Sequence, residues 1–207
     1  MPRTPEFDRQ TVILEAQQVF WSRGYGQTSV SDLVAATGLK PGSLYAAFGS
    51  KKGVFLEVLD AYNHGFVGRL RALAKQESGA LEGLVGILDE IVDDAATGRD
   101  RRGCLAVNAL LEMSQHDDEI ESRLRQHNER VRRAFAEVVK AAQTQGDVDA
   151  QRDPVDIAAF LVNSIWGLRV MCRSESDRRT LNAIAAGILA GIGNRQRKIR
   201  LRLSPAN

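Results

Sequence analysis

Residues that could do chemistry are sparse in this 207-residue sequence, and their most ordered grouping lies between Thr28 and Phe55. There, small, polar and cationic residues alternate with apolar ones at helical spacing. The apolar set would form an inner face: Leu33, Val34, Leu39, Leu44 and Phe48. The remaining set would face a partner: Ser31, Lys40, Ser43, Tyr45, Ala46 and Ala47. Such a small, weakly cationic surface suits a helix that enters a DNA major groove.

Two short helices joined by a tight turn are predicted to position these side chains. Ser29 is a good N-cap for the first helix, and Asp32 can return the hydrogen bond to complete a capping box. Gly38 supplies the left-handed residue that ends this helix, and Pro41 suits the first turn of the next one. The predicted helices cover residues 30–37 and 41–48. We interpret this pair as a helix-turn-helix.

Three motifs in this region resemble the N-terminal signature of the TetR family of bacterial repressors: Thr28-Ser-Val, Gly38-Leu-Lys-Pro-Gly-Ser-Leu-Tyr-Ala-Ala-Phe and Gly49-Ser-Lys-Lys. The resemblance covers the first quarter of the chain, and the rest agrees with the family in length and helical character. It implies an all-α fold with an N-terminal three-helix helix-turn-helix domain and a larger helical ligand-binding and dimerisation domain. We expect these domains at 1–52 and 53–207, with a helix from 51 to about 75 linking them.

The resemblance also implies which residues contact double-stranded DNA. Phosphate-contacting positions of the family match Thr28, Tyr45 and Lys51, and base-approaching positions match Lys40, Pro41, Gly42, Ser43 and Ala46. The sequence departs from many relatives at Ala46 and Ala47, where they carry larger polar or aromatic side chains. Because this removes hydrogen-bond donors, we expect recognition to depend on Lys40, Ser43, thymine-methyl contacts and DNA shape.

Further helices are predicted along the whole chain, with no strand-like alternation. The first begins after Asp8 and ends at Gly24; the later ones cover about 80–96, 104–114, 117–145, 154–172 and 177–192. The helix at 154–172 has a wide apolar face, and the one at 177–192 is rich in small residues that permit close helix packing. We expect these two helices to form a homodimer interface, as the family resemblance also implies. The alternative is that both are buried within one subunit.

Cys104 follows two arginines and a glycine and precedes an apolar helix. A thiol near a helix N-terminus and beside arginines can react with electrophiles or oxidants. The segment Arg102-Gly-Cys-Leu-Ala-Val-Asn108 also resembles a TetR subgroup, some of whose members sense reactive species through such a cysteine. The alternative is a small buried hydrophobic residue. Cys172 is interpreted as a packing or interface residue.

A small-molecule effector is expected in the second domain. Its candidate contacts are aromatic and polar residues that could equally be ordinary core: Tyr62, Phe66, Asn108, Met113, Phe160, Asn163 and Trp166. A mostly apolar wall with few polar groups would suit an aromatic or lipophilic effector.

Other classes of protein find less support in the sequence. No combination of residues suggests catalysis, a cofactor or a metal site, so an enzyme or carrier with a helical fold is the remote alternative. Because no apolar run approaches about 18 residues, we expect no membrane span and a cytoplasmic protein. The net charge is only +2. The five cations between Arg195 and Arg202 are interpreted as a solvated tail, and a non-specific DNA contact is the less favoured alternative.

Overall fold

The computed structural model of the chain describes residues 7–77 and 79–193. Over these residues it contains nine α-helices: α1 Arg9–Arg23, α2 Val30–Thr37, α3 Pro41–Phe48, α4 Lys51–Ala74, α5 Ala80–Ala96, α6 Leu105–Met113, α7 Asp118–Thr144, α8 Pro154–Met171 and α9 Arg178–Ile192. One isolated antiparallel bridge joins Val148 to Gly193. The all-α prediction is confirmed. The predicted basic tail lies outside the described residues.

Local hydrogen bonds fix where the N-terminal helices begin. The Asp8 carboxylate accepts from the first turn of α1, and Ser29 and Asp32 form the predicted capping box at the start of α2. The Ser29 backbone N–H donates to the Asp32 carboxylate, so the pKa of Asp32 lies below its ordinary value. At the start of α4, the Ser50 hydroxyl accepts from the Gly53 N–H at 3.0 Å. These three helix starts are as predicted because capping depends on neighbours in sequence.

The helices group into two compact units. The first comprises the described part of Met1–His64 together with Leu105–His127. Its core takes residues from α1 to α4 and from the later segment, including Phe20, Leu33, Leu44, Phe55, Leu59, Leu105, Ile120 and Leu124. The units are defined by packing, and the functional boundary at residue 52 stays a prediction.

The second unit comprises Gly65–Cys104 and the described part of Asn128–Asn207. Helix α9 packs against α5 and α8, and the core includes Leu84, Leu88, Phe135, Leu161, Ile165, Leu181 and Leu189. Arg178 at the start of α9 forms an ion pair with Asp93 of α5. Asp153 caps α8 by accepting a hydrogen bond from the Val155 N–H at 2.7 Å.

Helix α8 departs from the expectation that no apolar stretch approaches 18 residues. The helix has 18 residues with a mean hydropathy of 1.2, so by length and composition it is long and apolar enough to cross a membrane. The helix is not one uninterrupted apolar run, because polar residues lie among its apolar ones. Only 33% of it is buried inside the chain. Four large apolar side chains on α8 are exposed: Val155, Phe160, Val170 and Met171. These side chains leave apolar surface on α8 that the described part of the chain does not cover.

Candidate nucleic-acid interface

Helix α3 has one buried and one exposed face, as its sequence predicts. Leu44 and Phe48 are buried in the core of the first unit. The residues predicted to approach bases are all exposed: Lys40, Pro41, Gly42, Ser43 and Ala46. Tyr45, a predicted phosphate contact, is 46% exposed. The geometry therefore leaves one continuous polar and small-residue face of α3 available to a partner.

The turn between α1 and α2, residues 24–28, is held by side chains from other helices. The Lys51 ammonium donates to the carbonyl oxygens of Tyr25 and Thr28, each at 2.9 Å, and lies 4.2 Å from the centroid of the Tyr25 ring. Thr28 is buried, and its hydroxyl donates to the Gly24 carbonyl at 2.6 Å. Thr28 and Lys51 thus both shape the turn, and their predicted phosphate contacts stay predictions.

The amide side of the same turn is bound by Glu112 on α6. The Glu112 carboxylate accepts hydrogen bonds from the Tyr25 N–H at 2.9 Å and the Gly26 N–H at 2.6 Å. We call this pair of bonds the Glu112 clamp. Sequence analysis missed it, because 87 residues separate Glu112 from Tyr25 and nothing local to either position indicates the contact.

Arg9 at the start of α1 holds the other end of α3. Its guanidinium forms an ion pair with Glu57 of α4, donates to the Ala47 carbonyl at 3.1 Å and lies 4.3 Å from the centroid of the Phe48 ring. The carbonyls in the last turn of a helix have no partner within that helix, so this bond satisfies one of them. Arg9 is therefore a structural support of α3.

Lys52 lies beside Lys51 but binds acidic groups. Its ammonium lies 3.2 Å from Asp117 Oδ2 and 2.8 Å from Glu119 Oε2. Hydrogen bonds to Glu119 and Asp117 raise the pKa of Lys52. The cationic charge that the sequence places at the N-terminus of α4 is thus partly neutralised by the segment that begins α7.

A half-buried polar network lies between α4 and α7 in the first unit. His127 is buried, and its Nε2 lies 2.8 Å from Asp60 Oδ1. Arg123 forms an ion pair with the other oxygen of Asp60, and the Asn63 amide donates to the His127 carbonyl at 3.4 Å. This network joins α4 to α7 within the unit, and sequence analysis did not detect it.

The predicted effector contacts divide between the two units. Tyr62, Asn108 and Met113 belong to the first, where the Tyr62 ring packs edge-on against Trp21 with centroids 5.3 Å apart. The other four belong to the second: Phe66, Phe160, Asn163 and Trp166. Phe66 and Trp166 pack against the core, whereas Phe160 and Asn163 are exposed on α8. All seven stay predictions as ligand contacts.

Cys104 and Cys172 form no disulfide within the described residues, and both are buried. Cys104 directly precedes α6, and its neighbour Gly103 has a φ of +79°. Cys172 ends α8, and burial raises the pKa of its thiol. Over residues 7–77 and 79–193, no three His, Cys, Asp or Glu side chains gather in a way that could hold a metal ion.

Two short helices with a capped start, a left-handed glycine between them and an exposed second helix define a helix-turn-helix protein. Comparison with known proteins gives the family. Residues 12–58 match the model described as bacterial regulatory proteins, tetR family, and residues 80–188 match the tetracyclin repressor-like C-terminal domain. The chain belongs to the TetR family of DNA-binding transcriptional regulators.

Relatives of known name agree with this assignment. The chain is 29% identical over 188 residues to the HTH-type transcriptional repressor ComR of Escherichia coli (strain K12), covering 90% of each chain. It is 28% identical over 182 residues to the repressor DhaR of Mycobacterium sp. (strain GP1), covering 88% of this chain and 89% of DhaR.

Solved structures share the fold. A cysteine mutant of the TetR family regulator CifR, in complex with 26-base-pair operator DNA, has a TM-score of 0.76 and 34% identity, covering 91% of this chain and 98% of CifR. The reduced form of Escherichia coli NemR has a TM-score of 0.78 and 17% identity, covering 90% of this chain and 96% of NemR, and is similar in fold.

Proposed function

We propose that this TetR-family repressor acts as a homodimer on a palindromic operator and leaves it when an effector binds the second domain. The observation that carries the proposal is the exposed face of α3, with Leu44 and Phe48 anchored beneath it. A helix held in this way presents short side chains and its own N-terminus to base edges and phosphates. The operator-bound structure of CifR supports the same mode of binding for this chain.

A homodimer through α8 and α9 is the second part of the proposal. Phe160, Val170 and Met171 leave apolar surface on α8, and four small residues of α9 are exposed: Ala183, Gly187, Ala190 and Gly191. Small residues let two helices approach closely, so a second copy can cover this surface as a four-helix bundle. A dimer axis would also present two copies of α3 to successive major grooves.

Effector control follows from linkage. An effector must bind the DNA-free state of the dimer more tightly than the DNA-bound state, because only differential affinity shifts the equilibrium. We expect the effector to be an aromatic or lipophilic compound. The proposal includes no catalytic step, and a role on DNA is consistent with a cytoplasmic protein.

Binding to the DNA upstream of its own gene tests this function. Purified protein should retard that fragment in a gel at low salt, and unlabelled operator should compete better than unrelated DNA. Light scattering at micromolar concentration should give the mass of two chains. A monomeric protein, or one that binds every fragment equally, would contradict the proposal.

A thiol switch is the second candidate. The observation that favours it is Cys104, which follows Arg101 and Arg102 in the sequence and directly precedes α6. The chain is also similar to CifR, whose operator complex was solved with cysteine mutants. Hydrogen peroxide should then release wild-type protein from DNA and leave Cys104→Ser bound, with Cys172→Ser as the matched control. Equal release of all three proteins would remove this candidate.

A further inference from the structure

The Glu112 clamp joins α6 to the backbone of the α1–α2 turn through an acidic side chain. Its two bonds measure 2.9 Å and 2.6 Å, and both donors are backbone N–H groups of consecutive residues, Tyr25 and Gly26. A carboxylate that accepts from backbone N–H groups forms stronger hydrogen bonds than a neutral acceptor.

The turn is shaped to admit this carboxylate. A Cβ at Gly24 would lie 2.8 Å from Glu112 Oε2, and a Cβ at Gly26 would lie 3.0 Å from Oε1. Gly24 also has a φ of +81°, in the left-handed region that favours glycine. The absence of a side chain at these two glycines therefore does more than permit chain reversal, because it leaves room for the Glu112 carboxylate to reach the backbone.

The clamp acts on the residues that lead into the helix-turn-helix. Glu112 holds the N–H groups of the turn, while Lys51 holds the carbonyls of Tyr25 and Thr28. Immediately after Thr28, Ser29 caps α2. Loss of the clamp would leave two N–H groups without a strong acceptor and would loosen the position of Lys51 and the start of α2.

We infer that Glu112 is a positioning residue for operator binding: by fixing the 24–28 turn, α6 determines how the helix-turn-helix is presented to DNA. The inference rests on the proposed function and deepens it. Glu112 touches no DNA in this scheme. It acts through Tyr25, Gly26 and Lys51.

The direction in which operator affinity changes in Glu112→Gln separates a positioning role from a simple effect of charge. Glu112→Gln removes one negative charge, which by itself favours binding to any DNA. It also places an amide N–H₂ where a carboxylate oxygen accepted, so one backbone N–H loses its acceptor. We expect operator affinity to fall about tenfold while affinity for unrelated DNA is unchanged or higher. Glu112→Asp keeps the charge but is shorter, so it should also lose operator affinity.

Glu15→Gln is the matched control, because Glu15 is exposed on α1 and its substitution removes the same charge. It should leave the operator preference intact. Gly26→Ala tests the clamp from its other side without changing charge. It should weaken operator binding in the wild-type background and have no further effect in Glu112→Ala, because the carboxylate it displaces is gone.

Amide hydrogen exchange in the DNA-free protein reports the clamp itself. Tyr25 and Gly26 should exchange faster in Glu112→Gln, with protection in the α3 and α9 helices retained. Unchanged or tighter operator binding by Glu112→Gln would overturn the inference, as would an equal loss on operator and unrelated DNA that follows the loss of folded protein. If wild-type protein binds no operator, the proposed function fails, and exchange at these two amides still decides whether the clamp forms.

Discussion

At the scale of single residues, charged side chains of the first unit mainly bind backbone groups or one another. Arg9 bonds the Ala47 carbonyl, Lys51 bonds two carbonyls of the 24–28 turn, and Glu112 bonds two of its N–H groups. The sequence identified Lys51 through its motif but not its partners. Those partners lie 23 or more positions away, and periodicity or spacing carries no information on such contacts.

Lys51 is the residue for which the two roles, structural support and phosphate contact, can be separated. If its ammonium also contacts a phosphate, Lys51→Ala should weaken binding to unrelated DNA as well as to operator, with the larger loss on operator because the 24–28 turn also loosens. It should lower the slope of log K against log salt by about one on both. Fluorescence anisotropy at several salt concentrations measures both quantities. Lys40→Ala, a change of the same charge at an exposed position, should instead reduce the preference for operator. A loss confined to the operator in Lys51→Ala would argue against the phosphate contact.

At the scale of elements, helix ends were more predictable than helix contacts. The bounds of α2, α3 and α5 match the predicted ones, and the starts of α6 and α7 differ by one residue. Caps, left-handed glycines and first-turn prolines act locally, so they are visible in the sequence. The packing of α6 with the N-terminal helices depends on the tertiary fold and was not predicted.

Gly53 illustrates a close approach between elements. A Cβ at this position would lie 1.9 Å from the carbonyl oxygen of Phe48, the last residue of α3, so any side chain must displace α3 from α4. We expect Gly53→Ala to lower the free energy of unfolding by about 1–3 kcal/mol, as overpacking does. Urea denaturation followed by circular dichroism measures the change.

Gly65 is the matched control for Gly53, because it lies in the same helix and a Cβ there would meet nothing within 4 Å. Gly65→Ala should raise the free energy of unfolding by about 0.5–1 kcal/mol, since alanine favours the helix. Equal unfolding midpoints for the two variants would show that α3 accommodates the extra methyl group at no cost.

At the scale of the whole molecule, α8 carries exposed apolar side chains that the described residues of the chain do not cover. Both helices of the proposed interface are predicted from composition. The apolar face of α8 is too wide for one neighbour to cover, and the small residues of α9 permit close helix packing. The effector contacts could not be predicted in the same way. Aromatic residues such as Tyr62 and Phe66 serve core packing and ligand binding equally well, so composition does not distinguish the two roles.

Gly187 offers a direct test of the dimer. It is exposed on α9, and a Cβ there would meet nothing within 4 Å in its own chain. Gly187→Glu should therefore leave the subunit folded but place like charges at the interface, giving a monomer by light scattering and at least about tenfold weaker operator binding. Gly86→Glu, at an exposed and open position on α5, should remain dimeric. A dimeric Gly187→Glu would place the interface elsewhere.

The discontinuity of the first unit limits how this protein can be recombined with others. Leu105, Ile120 and Leu124 complete a core that residues up to His64 begin, so an N-terminal fragment alone would expose apolar side chains and lack the Glu112 clamp. A hybrid regulator that transfers this DNA specificity to another sensor therefore needs two grafts, one from each part of the chain. Exchange at a single crossover near residue 52 or 64 should yield a repressor that aggregates.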